Sequence, residues 1–496
     1  MRVQKYGKRT EDKRKRAKKS TPWHEIAPFP TAKNLQNVIS IAKSMLYELP
    51  NLAWNYLTHL LTIWKYHGIP SDVLLVFYLF LQPFAEFSVN LPRINVIITA
   101  THMRLLRKLI LATAMILVVN TAASAARVTA IVNAYTLKYQ SVDAFNNPIT
   151  LSEKIYVNQV YSNIKFIMVH NHPTTTNDAI TPTGSSPQVE EVKYMCDGTE
   201  LAMVVAPDYL GYGESVGTTH PYMCATLTAR NIVDGITAAI DYITTQSSKR
   251  NGNYHFEDDY YTLNEGYSQG GATALAVHKY LETEASQAVK DKVKLKRTLC
   301  GAGPHQQSEI FDTMEQQDDM CYSLYIPFAI DGLKYTFGNS IMRALSEEEI
   351  YTEKFLQSGL LAKMREKNTT AADLNSTIAN YFGGKVGFYD IIRPEYKDRS
   401  SKLYRTLQKA LKQSNLLEGW TPTKPIVFYH WENDEVVPYS QSVNAYNHFK
   451  ALGCDVELKE ATTLNVTGEW RLKSYEKTHM GYGTKFYLLL FCESLR

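Results

Sequence analysis

Short runs of apolar, β-branched and aromatic residues recur along the chain from residue 164 onward, and each ends at a polar loop. Such runs are typical of buried strands. Four of them are Ile164–Val169, Leu201–Ala206, Asp259–Glu265 and Lys424–His430. Helical periodicity follows the last two, over Gly271–Leu281 and Ser440–Lys450. The pattern therefore predicts core strands connected to helices by short polar turns.

The long interval from about Gly303 to Thr423 has a different pattern. It contains helical runs at Glu347–Leu356 and Leu403–Leu411 and no clear strand alternation. We expect a helical cap insertion above the sheet, although a separate helical domain would have the same pattern. Its aromatic residues suit the lining of an apolar pocket and an ordinary core equally well; they include Tyr322, Tyr325, Phe328, Tyr335 and Phe337.

The stretch Gly266-Tyr267-Ser268-Gln269-Gly270 lies between a predicted strand and a predicted helix. In that context a G-x-S-x-G pentapeptide forms a tight turn that exposes the serine hydroxyl at the helix N-terminus. The flanking glycines remove side chains that would collide at the turn. Ser268 is therefore the predicted nucleophile, and the alternative is a chance match in an ordinary turn.

A serine nucleophile of this type needs a carboxylate and a histidine later in the chain, in that order. Asp434 follows the predicted strand that ends at His430, and we expect it to be the acid. Glu432 and Glu435 are competing acids, and Asp434 could instead cap the next helix.

Only His448 and His479 follow Asp434. His448 lies on a predicted helix face, whereas His479 lies in a predicted loop before an apolar helix predicted at Lys485–Cys492. Catalytic side chains are common in loops. His479 is therefore the predicted base.

An oxyanion hole is also required. The backbone N–H of Gln269, the residue after the nucleophile, is one predicted donor, and the second is expected from the loop after Ile164–Val169, at Asn171 or His172. His170 and His172 have a spacing found in metal sites, but no Cys or Asp cluster accompanies them, so neither a metal nor a cofactor is predicted.

These segments resemble the α/β-hydrolase superfamily and, within it, the secretory lipase group and its bacterial relatives. The resemblance covers residues from about 135 to the end; its segments are Tyr139–Thr150, Ala206–Ser215, the Ser268 turn, and those around Asp434 and His479. It implies a mostly parallel sheet with flanking helices and a helical cap over the site. It also implies ester hydrolysis without a cofactor, and a structural role for Asp208. The chain departs from the family at Asn171, where a glycine is usual.

An export signal is predicted inside the chain. Met103–Lys108 is basic, Leu109–Val119 is apolar and Ala123-Ser124-Ala125 fits a cleavage site. The alternative is a membrane anchor, for which the apolar run is short. We expect residues 1–102 to be an upstream extension, non-native or disordered, residues 103–125 to be a signal peptide, and residues 126–496 to be the hydrolase domain.

Charge separates the leader from the rest of the chain. Residues 1–125 carry 17 Lys or Arg against 6 Asp or Glu, so the remaining residues are net negative although the whole chain is +4. The basic cluster Lys13–Lys19 fits a solvated tail, because no nucleic-acid-binding signature accompanies it. All six cysteines follow the signal, which permits disulfides in an exported protein.

The sequence thus predicts an exported serine esterase or lipase that acts on a small-molecule or lipid ester, binds no nucleic acid and has no permanent membrane span. A serine peptidase on the same fold and an inactive binding protein that kept the fold remain alternatives.

Overall fold

The computed structural model describes residues 132–158, 163–187, 203–247, 254–460, 478–481, 483 and 486. Its centre is an eight-stranded sheet. The strands are β1 (Val132–Val142), β2 (Pro148–Asn158), β3 (Asn163–Asn171), β4 (Met203–Pro207), β5 (His255–Tyr267), β6 (Leu295–Gly301), β7 (Ile426–His430) and β8 (Val456–Glu460). The predicted extension at 1–102 and signal at 103–125 lie outside the described residues.

Strand order in the sheet is β1-β2-β4-β3-β5-β6-β7-β8. Strand β2 is antiparallel to both of its neighbours, and the pairs from β4 to β8 are parallel. The carboxyl ends of β3 to β7 therefore lie along one edge of the sheet. This is the edge at which open α/β sheets place their ligands.

Alternation along the strands produces two apolar faces. Ile167 and Val169 of β3 join the larger core cluster, whereas Phe166 and Met168 join a smaller cluster with Leu299 of β6. Successive side chains of a strand point to opposite faces, so each strand contributes to both clusters. The larger cluster also contains the helices α1 (Ala225–Ser247) and α2 (Gln269–Thr283). The sheet thus has buried apolar residues on both faces.

The other α-helices between residues 284 and 460 are α3 (Gln287–Val293), α4 (Gln307–Met314), α5 (Tyr325–Phe337), α6 (Glu347–Ile350), α7 (Glu353–Gln357), α8 (Leu360–Arg365), α9 (Ala371–Phe382), α10 (Phe388–Ile391), α11 (Lys402–Lys412) and α12 (Ser440–Ala451). Helices α4 to α11 lie between β6 and β7, so the interval from Gly303 to Thr423 is helical as predicted. The predicted single helix Glu347–Leu356 is wrong. It is two helices, because Thr352 caps a new one by accepting from the N–H of Phe355.

The two ends of this helical insertion are fastened to each other. The N–H of Leu416 donates to the carbonyl of His305 over 3.1 Å. Next to it, the amide of Asn415 donates to the hydroxyl of Ser308 over 2.9 Å, and its oxygen accepts from the Ser308 N–H over 3.2 Å. The insertion therefore leaves the sheet and returns to it through a narrow neck.

Candidate active site

Ser268 occupies the sharp turn between β5 and α2. Its φ of 58° and ψ of −121° are unusual for a non-glycine residue, and such a conformation typically costs about 1–3 kcal/mol. A Cβ atom at Gly270 would lie 1.9 Å from the carbonyl oxygen of Asn171, and one at Gly266 would lie 2.2 Å from the carbonyl oxygen of Gly270. Only glycine fits at these two positions, which is why the pentapeptide can form this turn.

The side chains of Ser268, His479 and Asp434 form a continuous chain of contacts. Nε2 of His479 lies 2.9 Å from Oγ of Ser268, and Nδ1 of His479 lies 2.6 Å from Oδ2 of Asp434. All three side chains are nearly inaccessible to solvent. The three predicted residues are therefore brought together from distant parts of the chain.

The backbone of His479 is held on both sides. Its N–H lies 3.0 Å from a carboxylate oxygen of Glu435, and its carbonyl accepts from the hydroxyl of Tyr267 over 2.7 Å. Glu435 thus contacts the backbone of His479 rather than its ring. The predicted loop is wrong at this point, because His479, Met480 and Gly481 are already helical. Of the predicted helix Lys485–Cys492 only Phe486 is described, and it is helical.

The carboxylate of Asp434 is surrounded by donors. Its Oδ1 accepts from the N–H groups of Val436 and Val437, at 2.9 and 2.8 Å. Burial would raise the pKa of Asp434, but hydrogen bonds from His430 and His479 outweigh that effect and hold the pKa well below its usual range. Asp434 is therefore a stable anion. It also caps the turn before α12, so its structural and its candidate catalytic roles coexist.

The other candidate base, His448, lies in the last turn of α12. Its ring packs against Phe449 with 5.3 Å between ring centroids. The hydrogen-bond partner of the Ser268 hydroxyl is thus His479. His430, by contrast, lies close to Asp434, which sequence reasoning missed; its position at the carboxyl end of β7 was the available signal.

The predicted oxyanion residues lie beside the serine turn. Gln269 is the first residue of α2, where backbone N–H groups lack partners within the helix. The side-chain N–H groups of Asn171 are both in use, donating to Oδ1 of Asn264 and to the carbonyl of Glu265 at 2.8 and 2.7 Å. The side chain of Asn171 is therefore not available to an oxyanion.

His172 is buried and packs face to face with the ring of Tyr209. Its Nδ1 lies 2.7 Å from the carbonyl oxygen of Pro173 and its Nε2 lies 3.3 Å from that of Asp208. Burial lowers the pKa of His172 to about 4, so the ring is neutral at neutral pH. Its role as an oxyanion residue stays a prediction.

His170 contacts a different group. Its Nδ1 lies 2.6 Å from Oε1 of Glu265, and both side chains are buried beneath the serine turn. Burial raises the pKa of Glu265, and the contact with His170 opposes that shift. Within the described ranges no group of three or more His, Cys, Asp or Glu side chains is arranged to hold a metal ion.

Helix α5 of the insertion approaches this edge of the sheet through stacked aromatic rings. The ring of Phe328 stacks on Tyr222 at 4.3 Å between centroids, and Tyr325 stacks on Tyr222 at 6.3 Å. The hydroxyl of Tyr222 is 2.9 Å from that of Thr174, in the loop after β3. The insertion thus packs on a loop that borders the site.

Four of the six cysteines lie in the described part of the chain, and none of the four forms a disulfide. They are Cys224, Cys300, Cys321 and Cys454. Burial strongly raises the pKa of the Cys224 thiol, to about 12, so this thiol is unreactive at neutral pH. No helix within the residues that the structure covers is long and apolar enough to cross a membrane.

The sequence of the chain is similar to a known protein family. Residues 188–474 match the secretory lipase family, and this range is more than half of the chain. The chain belongs to the secretory lipase family. The protein is accordingly an ester-hydrolysing enzyme with an α/β-hydrolase fold. No curated protein matches the chain at a significant level.

Solved structures share the fold of this secretory lipase. A proposed hydrolase from Legionella pneumophila is 17% identical with a TM-score of 0.57, covering 73% of this chain and 88% of its own. The rice cell wall degrading esterase LipA from Xanthomonas oryzae is 19% identical with a TM-score of 0.56, covering 73% and 90%. Candida antarctica lipase A in its closed state is 15% identical with a TM-score of 0.50, covering 66% and 72%.

Proposed function

We propose that this secretory lipase is an exported serine carboxylester hydrolase that uses Ser268, His479 and Asp434 through an acyl-enzyme intermediate. The observation that supports the proposal best is the contact chain from Ser268 Oγ through the ring of His479 to Asp434, at 2.9 and 2.6 Å. An inactive binding protein would have no reason to hold an anion, an imidazole and a strained serine in this order.

The chemistry follows from the roles of the three side chains. Oγ of Ser268 attacks the ester carbonyl carbon while its proton passes to Nε2 of His479. When the tetrahedral intermediate collapses, the bond to the alcohol oxygen breaks and His479 returns that proton to the leaving alkoxide. Water then repeats the sequence on the acyl-enzyme and releases the acid. Asp434 holds the ring with Nδ1–H directed at its carboxylate and stabilises the imidazolium.

The developing oxyanion needs donors at the N-terminus of α2. We assign one to the backbone N–H of Gln269 and the second to the end of β3 or the loop after it, at Asn171 or His172. Electrostatic stabilisation of this kind is worth about 10²–10³-fold in kcat for each donor. The position of Gln269 at the start of a 15-residue helix supports this assignment, because the helix dipole favours negative charge there.

The substrate class we propose is an ester with an apolar acyl chain, as part of a lipid or an acylated carbohydrate. The family supports a lipase or esterase, and the structural relatives are described as a cell wall degrading esterase and a lipase. Helix α5 and its stacked rings support an apolar acyl pocket beside Ser268. Amide hydrolysis by the same triad is the competing activity.

A panel of nitrophenyl esters of graded acyl length, with peptide substrates alongside, tests this function. We expect turnover of esters and not of peptides, and labelling of Ser268 by a fluorophosphonate. Ser268→Ala should abolish turnover and labelling while the protein stays folded, because loss of a triad member costs several orders of magnitude. His479→Ala should do the same and His448→Ala should not. Normal turnover by folded Ser268→Ala would refute the proposal.

Export is the second part of the proposal, and the segment Met103–Ala125 supports it with its basic, apolar and small-residue parts. Amino-terminal sequencing of the protein secreted by an expression host should begin near Ala126, with residues 1–102 dispensable for export and activity. A secreted protein that retains the first hundred residues, or a chain begun at Met103 that stays in the cytoplasm, would contradict it.

A further inference from the structure

His220 is a buried histidine whose tautomer is set by its two neighbours. Its Nδ1 lies 2.8 Å from the carbonyl oxygen of Leu210, and its Nε2 lies 2.8 Å from Nε2 of Gln269. The carbonyl can only accept and the amide nitrogen can only donate. The single ring proton therefore lies on Nδ1, and the lone pair of Nε2 accepts from Gln269. Burial lowers the pKa of His220 to about 3, which keeps the ring neutral at neutral pH.

Gln269 depends on this contact. Its side chain is buried, and its Oε1 has no hydrogen-bond partner among the described residues. The opposite orientation of the amide would place its oxygen against a ring nitrogen that has no proton, since that proton is already donated to Leu210. The hydrogen bond to His220 is thus what fixes the orientation of the amide. Gln269 follows Ser268 directly and begins α2.

The ring of His220 is itself held by aromatic neighbours on several sides. Tyr209 is stacked with it at 5.9 Å between centroids, Tyr212 packs at 5.1 Å and Phe328 of the helical insertion at 5.7 Å. Rotation of the imidazole would disturb these contacts as well as the bond to Leu210. His220 is therefore a rigid acceptor, placed where the helical insertion meets the residue after the nucleophile.

We propose that His220 is a positioning residue for ester hydrolysis. It fixes the side chain of Gln269 and, through it, the backbone N–H of Gln269 that binds the oxyanion. This inference rests on the proposed function. A preorganised donor stabilises the transition state more than the bound substrate. Loss of the acceptor at His220 should therefore lower kcat and leave KM nearly unchanged, whereas loss of an ordinary packing residue would lower stability alone.

The test compares four variants by kcat, KM and affinity for a trifluoromethyl ketone that mimics the tetrahedral intermediate. His220→Phe keeps an aromatic ring and removes the acceptor; we expect kcat and inhibitor affinity to fall about tenfold, less than the ~10²–10³-fold cost of deleting a donor. Gln269→Leu should have a similar effect, and the double variant should be no slower than the slower single one, because both remove one interaction. His448→Phe is the matched control and should behave as the unaltered enzyme.

His220→Gln provides the rescue, since its carbonyl oxygen can accept from Gln269. It should recover most of the kcat lost in His220→Phe. A kcat of folded His220→Phe within twofold of the unaltered enzyme would overturn the proposal. A loss confined to KM, additive effects in the double variant, or a His220→Gln enzyme as slow as His220→Phe would do the same. Fluorophosphonate labelling of Ser268 in the unaltered protein separates these outcomes from failure of the proposed function itself.

Discussion

Nε2 of His430 lies 3.4 Å from Oδ2 of Asp434, the same oxygen that Nδ1 of His479 contacts at 2.6 Å. His430 ends β7, and its other ring nitrogen is 2.8 Å from the hydroxyl of Ser442. The carboxylate thus lies between two buried imidazoles. Nε2 of His430 also lies 3.1 Å from the carbonyl oxygen of Val437, so its N–H is shared between that carbonyl and the carboxylate and helps to hold both in place.

Replacement of His430 by Phe should therefore lower activity. The variant lacks the N–H that lies beside Asp434, so the carboxylate loses part of its orientation and the ring of His479 loses part of its support. We expect kcat/KM at neutral pH to fall by roughly tenfold. The exposed His255 provides the control, as His255→Phe. A kcat/KM of folded His430→Phe equal to that of the unaltered enzyme would show that His430 contributes to packing alone.

Lys367 should be essential for stability. Its buried ammonium donates to the carbonyls of Gly211 and Val216 over 2.6 and 2.8 Å, and also to the carbonyl of Thr218. Lys367→Met would leave these acceptors without their donor, and each such buried group costs about 1–3 kcal/mol. We expect the free energy of unfolding to drop by about 3 kcal/mol in denaturant titrations. Lys385→Met, at an exposed position, should change it little.

Stability should also fall toward alkaline pH because of Glu153. Its side chain is fully buried, and burial, followed by the nearby charge of Asp208, raises the pKa of Glu153 to about 8. The folded protein therefore holds a proton that the unfolded chain releases above about pH 4.5. The contribution of this proton to the free energy of unfolding is complete below about pH 4.5. It is lost progressively as the pH rises to about 8.

Glu153→Gln keeps the shape and removes the titration. The variant should show a flatter dependence of unfolding free energy on pH, with a difference from the unaltered protein of a few kcal/mol across the window. Comparison of the two proteins between pH 7 and 8.5 isolates Glu153, because other groups that titrate there, such as Lys367, whose pKa burial lowers to about 8, are present in both. Parallel curves for the two proteins in that range would contradict the assignment.

Tyr325 should influence which acyl chain is preferred. It is half-buried on α5 and stacks on Tyr322 at 5.5 Å between centroids. Each methylene buried in an apolar pocket contributes about 0.8 kcal/mol, so Tyr325→Ala should shift the optimum of the acyl-length profile and change turnover of the shortest ester little. Phe328→Ala should also shift it, with an added loss of kcat through His220. Tyr381→Ala, on the exposed side of α9, should leave the profile unchanged.

Features that depend on local geometry could be predicted from the sequence. The turn at Ser268, between a strand and a helix, could be predicted because only glycine fits at Gly266 and Gly270. The apolar runs at β3, β5 and β7 predicted their strands to within a few residues, because a strand buried on both faces has few polar positions. The predicted helix Gly271–Leu281 is likewise confirmed within α2.

Contacts between distant segments could not be predicted. His220 and Gln269 are 49 residues apart, and Lys367 and Gly211 are 156 apart. A lone buried histidine or lysine carries no sequence pattern that identifies its partner. The chain order of Ser268, Asp434 and His479 selected three residues that the structure brings together, and their catalytic roles stay a prediction. The available signal for His430 was its position at the end of a buried strand.

The neck of the helical insertion makes the segment above the site exchangeable. Because the N–H of Leu416 donates to the carbonyl of His305 just past the end of β6, the two ends of the insertion are held together independently of the length or content of what lies between them. A segment whose ends meet in this way tolerates insertion, shortening and replacement. Descendants of such an enzyme can therefore acquire new substrates by altering the insertion, while the strands that hold Ser268 and Asp434 stay in place.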